Sequence, residues 1–204
     1  MAKKQITIPV FIPHMGCPHR CIFCNQWRIS SGNGSPGPGK IKDIIDLYLS
    51  RISPTVKKVE LAFFGGSFTA IPAEEQNILL SAVKPYVDEG IIHSQRLSTR
   101  PDCIDREKLD LLAQYNVQTV ELGVQSFNDQ VLNYAERGHS SEDVYRAMEL
   151  LGEYKFRTGI QLMPGLPGDS FSISRNSAAA AAALCPDDAR IYPLVVLKGT
   201  RLEK

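Results

Sequence analysis

Apolar residues along this chain fall into two alternating rhythms. Short runs rich in β-branched and aromatic residues predict six strands: ITIPVFI (6–12), KKVELAFF (57–64), IIHSQRLST (91–99), VQTVELGVQ (117–125), FRTGIQLM (156–163) and ARIYPLVVL (189–197). Between the first two, Ile41, Ile44, Ile45, Tyr48, Leu49 and Ile52 recur at the three-and-four spacing that lays an apolar stripe along a helix. Leu79, Ala82, Val83, Tyr86 and Val87 repeat the pattern before the third strand. Asp105 is placed to cap a helix through Leu111, Leu112 and Tyr115. Ser140, with Asp143 three residues on, reads as the cap of a helix carrying Val144, Met148 and Leu151. Ser170 starts a last helix that runs through the alanines at 178–183, which are good helix formers.

Strands that alternate with helices at this spacing run parallel, because a helical crossover returns the chain to the same end of the sheet and does so right-handedly. The expected fold is α/β, a partial (β/α)6 TIM-like barrel of parallel strands with helices covering its outer face. No repeat and no break in composition divides residues 1–204, which read as one core domain. The chain stops just past the sixth strand, so the expectation is a truncated form or one completed by a partner. The irregular stretch SSGNGSPGPG (30–39) ends a long loop that starts near Pro13, and loops of that length in small domains are functional or mobile.

Composition narrows the class little. Apolar residues make up 43% of the 204 and charged residues 22%, and the net charge of +1 advertises neither nucleic acid nor a membrane surface. Residues 1–60 nevertheless carry a net +6 and the remainder −5, so a polyanion would prefer the N-terminal third. There is no signal-peptide pattern and no run of eighteen apolar residues, which predicts a cytoplasmic protein without a membrane partner. An odd count of five cysteines, three of them crowded together, fits reduced thiols rather than a disulfide scaffold.

Those three stand in GCPHRCIFCNQ (16–26), as Cys17-x3-Cys21-x2-Cys24. Structural zinc needs a fourth ligand, usually from a second closely spaced pair; none exists, and His14 or His19 would have to serve. A ferredoxin-like electron carrier needs four thiolates, and Cys103 and Cys185 each stand alone. The third reading takes three thiolates at face value: they fix three corners of a four-iron cube and leave one iron open to a small molecule. With Phe23 just before the last cysteine, the loop resembles the cluster loop of the radical S-adenosylmethionine superfamily.

Other strand ends agree. FFGGSF follows strand two, STRPD strand three, GVQSF strand four, LMPGLPGD strand five and LKGTRL strand six, all on the rim where α/β proteins gather ligands. Gly65 and Gly66 let a backbone approach a ligand without a Cβ in the way. The resemblance implies a [4Fe-4S] cluster on Cys17, Cys21 and Cys24, and S-adenosylmethionine beside it. It casts the Gly65-Gly66-Ser67 element as the cradle of the methionine amino group, with Ser67 where many members carry glutamate. Gln125 becomes a contact to the ribose or amino acid portion, and Arg137 the bidentate partner of the carboxylate. Ser98 stands where relatives often place a glutamate on the ribose, and Arg100 joins it at that strand end. Gln161 stands where an aspartate appears in the oxygen-independent coproporphyrinogen oxidases. Leu162 and Met163 form an apolar wall against adenine, with Phe23 opposite. The family reaction is reductive cleavage of S-adenosylmethionine to a 5′-deoxyadenosyl radical that abstracts hydrogen from substrate, and it implies an external one-electron donor of flavodoxin or ferredoxin type.

For the substrate, STRPDCID, ELGVQSFNDQVLNYAERGH and ARIYPLVVLKGTRL are most similar to the radical domain of the Elongator catalytic subunit, which implies tRNA and its wobble uridine. Two departures stand: Elongator spaces its cysteines more widely, and its acetyltransferase domain would have to follow Lys204. A bacterial sister group with another substrate, porphyrinogen-like or otherwise small, is the other reading.

Overall fold

The computed structural model describes residues 5–26 and 36–204. Its sheet has six strands, β1 (Gln5–Ile12), β2 (Lys58–Gly65), β3 (Ser94–Thr99), β4 (Thr119–Gln125), β5 (Arg157–Leu162) and β6 (Asp188–Ile191). They are hydrogen-bonded in sequence order and every pair is parallel. Helices α1 (Pro38–Leu49), α2 (Ala73–Asp88), α3 (Arg106–Gln114), α4 (Asp129–Tyr134), α5 (Ser141–Gly152) and α6 (Phe171–Ala183) make the crossovers. A parallel sheet that grows in one direction with each return right-handed curls around its own axis. The result is the expected partial barrel, with β1 and β6 as its two edges.

Each strand sorts its residues between two faces with a period of two. Ile8, Val10 and Ile12 on β1, Leu61 and Phe63 on β2, Leu97 on β3, Val120, Leu122 and Val124 on β4, and Ile160 on β5 are essentially inaccessible. They share one core with Ile41 and Ile45 of α1, Leu79, Leu80 and Val83 of α2, Leu109 and Leu112 of α3, and Val144 and Leu151 of α5. The alternate positions, Glu60, Arg96, Ser98, Glu121 and Gln161, are polar and pair side by side across the sheet, Ser98 opposite Glu121 and Gly123 opposite Gln161. Fully covered parallel strands are ordinarily apolar on both faces. A polar inner face marks a barrel that holds something.

The predicted caps form. Asp105 accepts from Lys108 N, Ser170 from Ile173 N, and Ser140 and Asp143 make a reciprocal capping box. Four details differ from the sequence reading. β3 begins at Ser94, because residues 91–92 turn back to bond the Tyr86 carbonyl. β6 ends at Ile191 rather than 197, since Pro193 has no N–H to extend a ladder. The helix expected from Ile41 starts at Pro38, whose fixed φ suits a first turn; Pro38 and Gly39 therefore leave the irregular stretch, of which residues 30–35 lie outside the described residues. The short α4, capped by Asn128, was not anticipated because six residues are too few to show a helical period.

Candidate active site

After β1 the chain turns sharply through His14 and Gly16, both at positive φ, and delivers Cys17, Cys21 and Cys24 to the rim. The turn is packed backbone against backbone on the segment after β2. Ser67 N donates to Met15 O at 2.8 Å, a Cβ on Gly66 would meet Met15 O at 2.2 Å, and one on Gly16 would meet Ser67 O at 2.2 Å. The sequence reading assigned Gly66 to the close approach of a ligand. The structure gives a different physical reason: the cysteine loop itself occupies the space a side chain would need. Gln26 ties the far end of the loop down, its backbone N–H donating to His14 Nε2 at 2.9 Å and its side chain donating to Gly65 O. Ile22 N bonds Ala135 O, and Leu202 N bonds Ile22 O.

All three cysteines are free thiols, Cys21 buried and the other two half-buried. Burial pushes the Cys24 thiol up to about 11, helped by the neighbouring Cys21 and Cys17, and burial raises Cys17 against the pull of Arg137. Such thiols need a cation to become thiolates. One is at hand: Arg137, 9% exposed, donates from Nη1 to Cys21 Sγ at 3.4 Å and from Nη2 to Gly123 O at 2.6 Å. Among the described residues no carboxylate pairs with Arg137, and its buried Nε has no partner. A Cβ on Gly123 would lie 2.8 Å from Nη2, so this strand position is bare where the guanidinium passes. Arg100 backs it: its fork is filled by Asp102, at 2.9 and 2.8 Å, and its Nη1 donates to Arg137 O at 2.5 Å. Among the described residues no three Cys, His, Asp or Glu side chains converge as ligands of one ion. Thiolates on separate irons of a cube need not converge.

Above the thiols lies a cavity of about 530 Å³, within the range of small-molecule and cofactor sites. The structure brings around it Cys17, Cys21, Cys24, Phe23, Gly65, Gly66, Ser67, Ser98, Arg100, Gln125, Arg137, Gln161 and Met163. Leu162 is the exception. It follows Gln161 on β5 and so points to the opposite face, into the core and a smaller hollow beside α6. Ser67 turns its hydroxyl away, into a buried set with Thr99 Oγ1 at 3.0 Å and the Arg100 N–H at 3.2 Å. Gln125 sits at φ +73 where β4 shifts register, and its buried Oε1 is unpartnered.

The sequence reading missed a charged network on the inner face, which reaches this cavity through Glu121 and Arg190. Thr7, Glu60, Arg96, Glu121 and Arg190 form a chain across the inner face. Glu121, 2% exposed, holds Arg96 Nη2 at 3.1 Å, Arg190 Nε at 2.9 Å and the Ser98 hydroxyl at 3.2 Å. Arg190 reaches across β5 to Glu121, and it lies over the Phe64 ring at 5.5 Å. The signal was present: Glu60, Arg96, Glu121 and Arg190 are charges inside four different strands, each flanked on both sides by a residue of the opposite face.

A family model described as the Radical SAM superfamily matches residues 11–173. An uncharacterized protein of Methanocaldococcus jannaschii is 32% identical over 99% of this chain and 65% of its own length. A tRNA uridine(34) acetyltransferase of Methanocaldococcus infernus is 28% identical over 91% of this chain and 42% of its own length. The solved structure of archaeal Elp3 from that organism, lacking its N-terminus, superposes over 100% of this chain and 49% of its own, with TM-score 0.74 and 25% identity. The chain thus spans less than two thirds of the length of these relatives.

Proposed function

Since the chain belongs to the radical SAM superfamily, we propose that Cys17, Cys21 and Cys24 hold a [4Fe-4S] cluster with one iron open to S-adenosylmethionine in the cavity above. The cluster, once reduced, would supply one electron to the bound S-adenosylmethionine, whose carbon–sulfur bond would break to methionine and a 5′-deoxyadenosyl radical able to take hydrogen from substrate. The residues fit the group. Three thiols without disulfides face a cavity of nucleotide size, and Arg137 Nε and Gln125 Oε1 are each left without a protein partner.

Arg137 carries the reading. A buried guanidinium with no carboxylate is costly unless an anion completes it. A cluster on the thiolates would supply negative charge beside Arg137 Nη1 at Cys21, and a cofactor carboxylate would supply it to the unpartnered Nε. Met163 and Phe23 offer apolar surface to a base, and Gln161 and Ser98 offer hydrogen bonds to hydroxyls.

tRNA is the proposed substrate, supported by the similarity to a tRNA uridine(34) acetyltransferase over most of the chain. Anaerobic reconstitution with iron and sulfide, followed by reduction with S-adenosylmethionine present, should yield 5′-deoxyadenosine, and Cys17→Ala, Cys21→Ala and Cys24→Ala should each abolish it. Formation by all three variants would rule out the ligand assignment. Nucleoside mass spectrometry of tRNA from a deletion strain tests the substrate, and an unchanged uridine profile would remove tRNA.

A further inference from the structure

Two guanidiniums beside the thiols line the large cavity, those of Arg100 and Arg137, and the fold uses them differently. Arg100, 2% exposed, has each of its guanidinium nitrogens engaged: Nε and Nη2 by the Asp102 carboxylate at 2.9 and 2.8 Å, and Nη1 by the Arg137 carbonyl at 2.5 Å. Arg137 keeps an Nε without a partner. Asp102 thus decides which of the two is left for an anion. The chain around Arg137 is bent to suit. Glu136 at φ +49 and Gly138 at φ +77 bracket it, its N–H donates to Leu132 O at 2.9 Å, and His139 Nε2 lies 3.2 Å from Val124 O. A residue other than glycine at positive φ carries strain that surrounding contacts must offset. Here those contacts fall on the main chain of Arg137 and, through its Nη2, on Gly123 O.

We propose that Asp102 and Arg100 are positioning residues for the cofactor carboxylate, acting through the main chain of Arg137. The inference rests on the proposed cluster and cofactor and adds what aims the side chain that meets them. An arginine side chain is long, and holding it in one direction costs rotamer entropy. With its carbonyl pinned by Arg100, its Nη2 on Gly123 O and its Nη1 at Cys21, Arg137 has only its Nε edge left to take a partner. Bidentate filling by Asp102 fixes the Arg100 fork in turn and neutralises it, so Arg100 offers no competing site for the carboxylate. The Asp102 side chain is 22% exposed, and the arrangement runs from solvent through two buried guanidiniums to Cys21. Outer partners that orient a binding group are worth about 10–100-fold in affinity.

The test measures binding by calorimetry on the anaerobically reconstituted, unreduced protein, where neither ligand is cleaved. The probes are S-adenosylmethionine and its decarboxylated analogue, which keeps the amino group. Arg137→Met should weaken S-adenosylmethionine by about thirtyfold and the analogue by less than about threefold. Arg100→Lys keeps the charge and loses the fork; it should weaken S-adenosylmethionine by about tenfold and leave the analogue and the iron content unchanged. Asp102→Asn should act in the same direction by about threefold. Because Arg100 acts through Arg137, Arg100→Lys should cost nothing further once Arg137→Met is present. If Arg100→Lys alone loses iron, Asp102→Asn carries the comparison. Losses shared equally by both ligands, losses that add in the double variant, wild-type affinity in Arg100→Lys, or iron lost from both Arg100→Lys and Asp102→Asn would each overturn the inference. A wild-type protein that takes up no iron and sulfide, or that binds neither compound, fails the proposed function itself, which is a separate result.

Discussion

Glu121→Gln removes one charge from the cavity floor and leaves its shape. In the structure Glu121 is 2% exposed and serves two cations, Arg96 at 3.1 Å and Arg190 at 2.9 Å. Breaking a buried pair by removing one partner costs about 3–5 kcal/mol, because the other charge stays buried and unpaired. Here the loss is smaller, for two reasons. Arg96 keeps Glu60 at 3.8 Å, and Arg190, with its side chain 31% exposed, can turn to water. About 2–3 kcal/mol is expected, most of it through Arg96, whose side chain is 11% exposed and whose Nε has no partner. Urea unfolding of the metal-free chain measures it, and double-mutant cycles with Arg96→Met and Arg190→Met divide it. The coupling to Arg96 should be about 2 kcal/mol and that to Arg190 below about 1 kcal/mol. A total loss under 1 kcal/mol, or a larger coupling to Arg190, would refute the view that burial decides which arm of this network matters.

His139 is held neutral: burial, then Arg137 and Arg100, push it down to about 3, and its Nε2 sits 3.2 Å from Val124 O. The unfolded chain, titrating near 6.5, binds more protons below that pH, so stability is held above pH 6.5 and drains as pH falls towards 3. Between pH 7 and 5 the native protein should lose about 2 kcal/mol relative to His139→Gln, measured by urea unfolding; parallel curves would sink the assignment. Gly66→Ala drives a methyl into Met15 O and Ile12 O and should cost about 1–3 kcal/mol while lowering iron uptake, measured on the reconstituted protein. Unaltered iron content would show that the loop can give way. Ser140→Ala removes one half of the capping box and should cost about 1 kcal/mol with m unchanged.

The sequence shows most of the frame because its two periods are clean. Val59, Leu61 and Phe63 alternate with Glu60, Ala62 and Phe64, and the caps at Asp105, Ser140 and Ser170 act within four residues of chain. What depends on strand parity is harder to read. Leu162 looks like part of a wall shared with Met163, yet the pleat sends it to the other face. The charged floor needed the parity of four strands compared at once. Glycines mislead in another way. Gly66 and Gly16 serve a crossing of two backbone segments some fifty residues apart, which no local pattern announces. Arg137 falls between these cases, since its position was legible and its bond to Cys21 was not.

Electron paramagnetic resonance of the reduced, reconstituted protein tests the open corner most directly. The [4Fe-4S]⁺ signal should shift its g values when S-adenosylmethionine is added, and a nitrogen-15 label on the cofactor's amino group should appear as hyperfine coupling to the cluster. A signal indifferent to the cofactor, with every iron held by the protein's own side chains, or a chain that binds zinc in place of iron and sulfide, would contradict it.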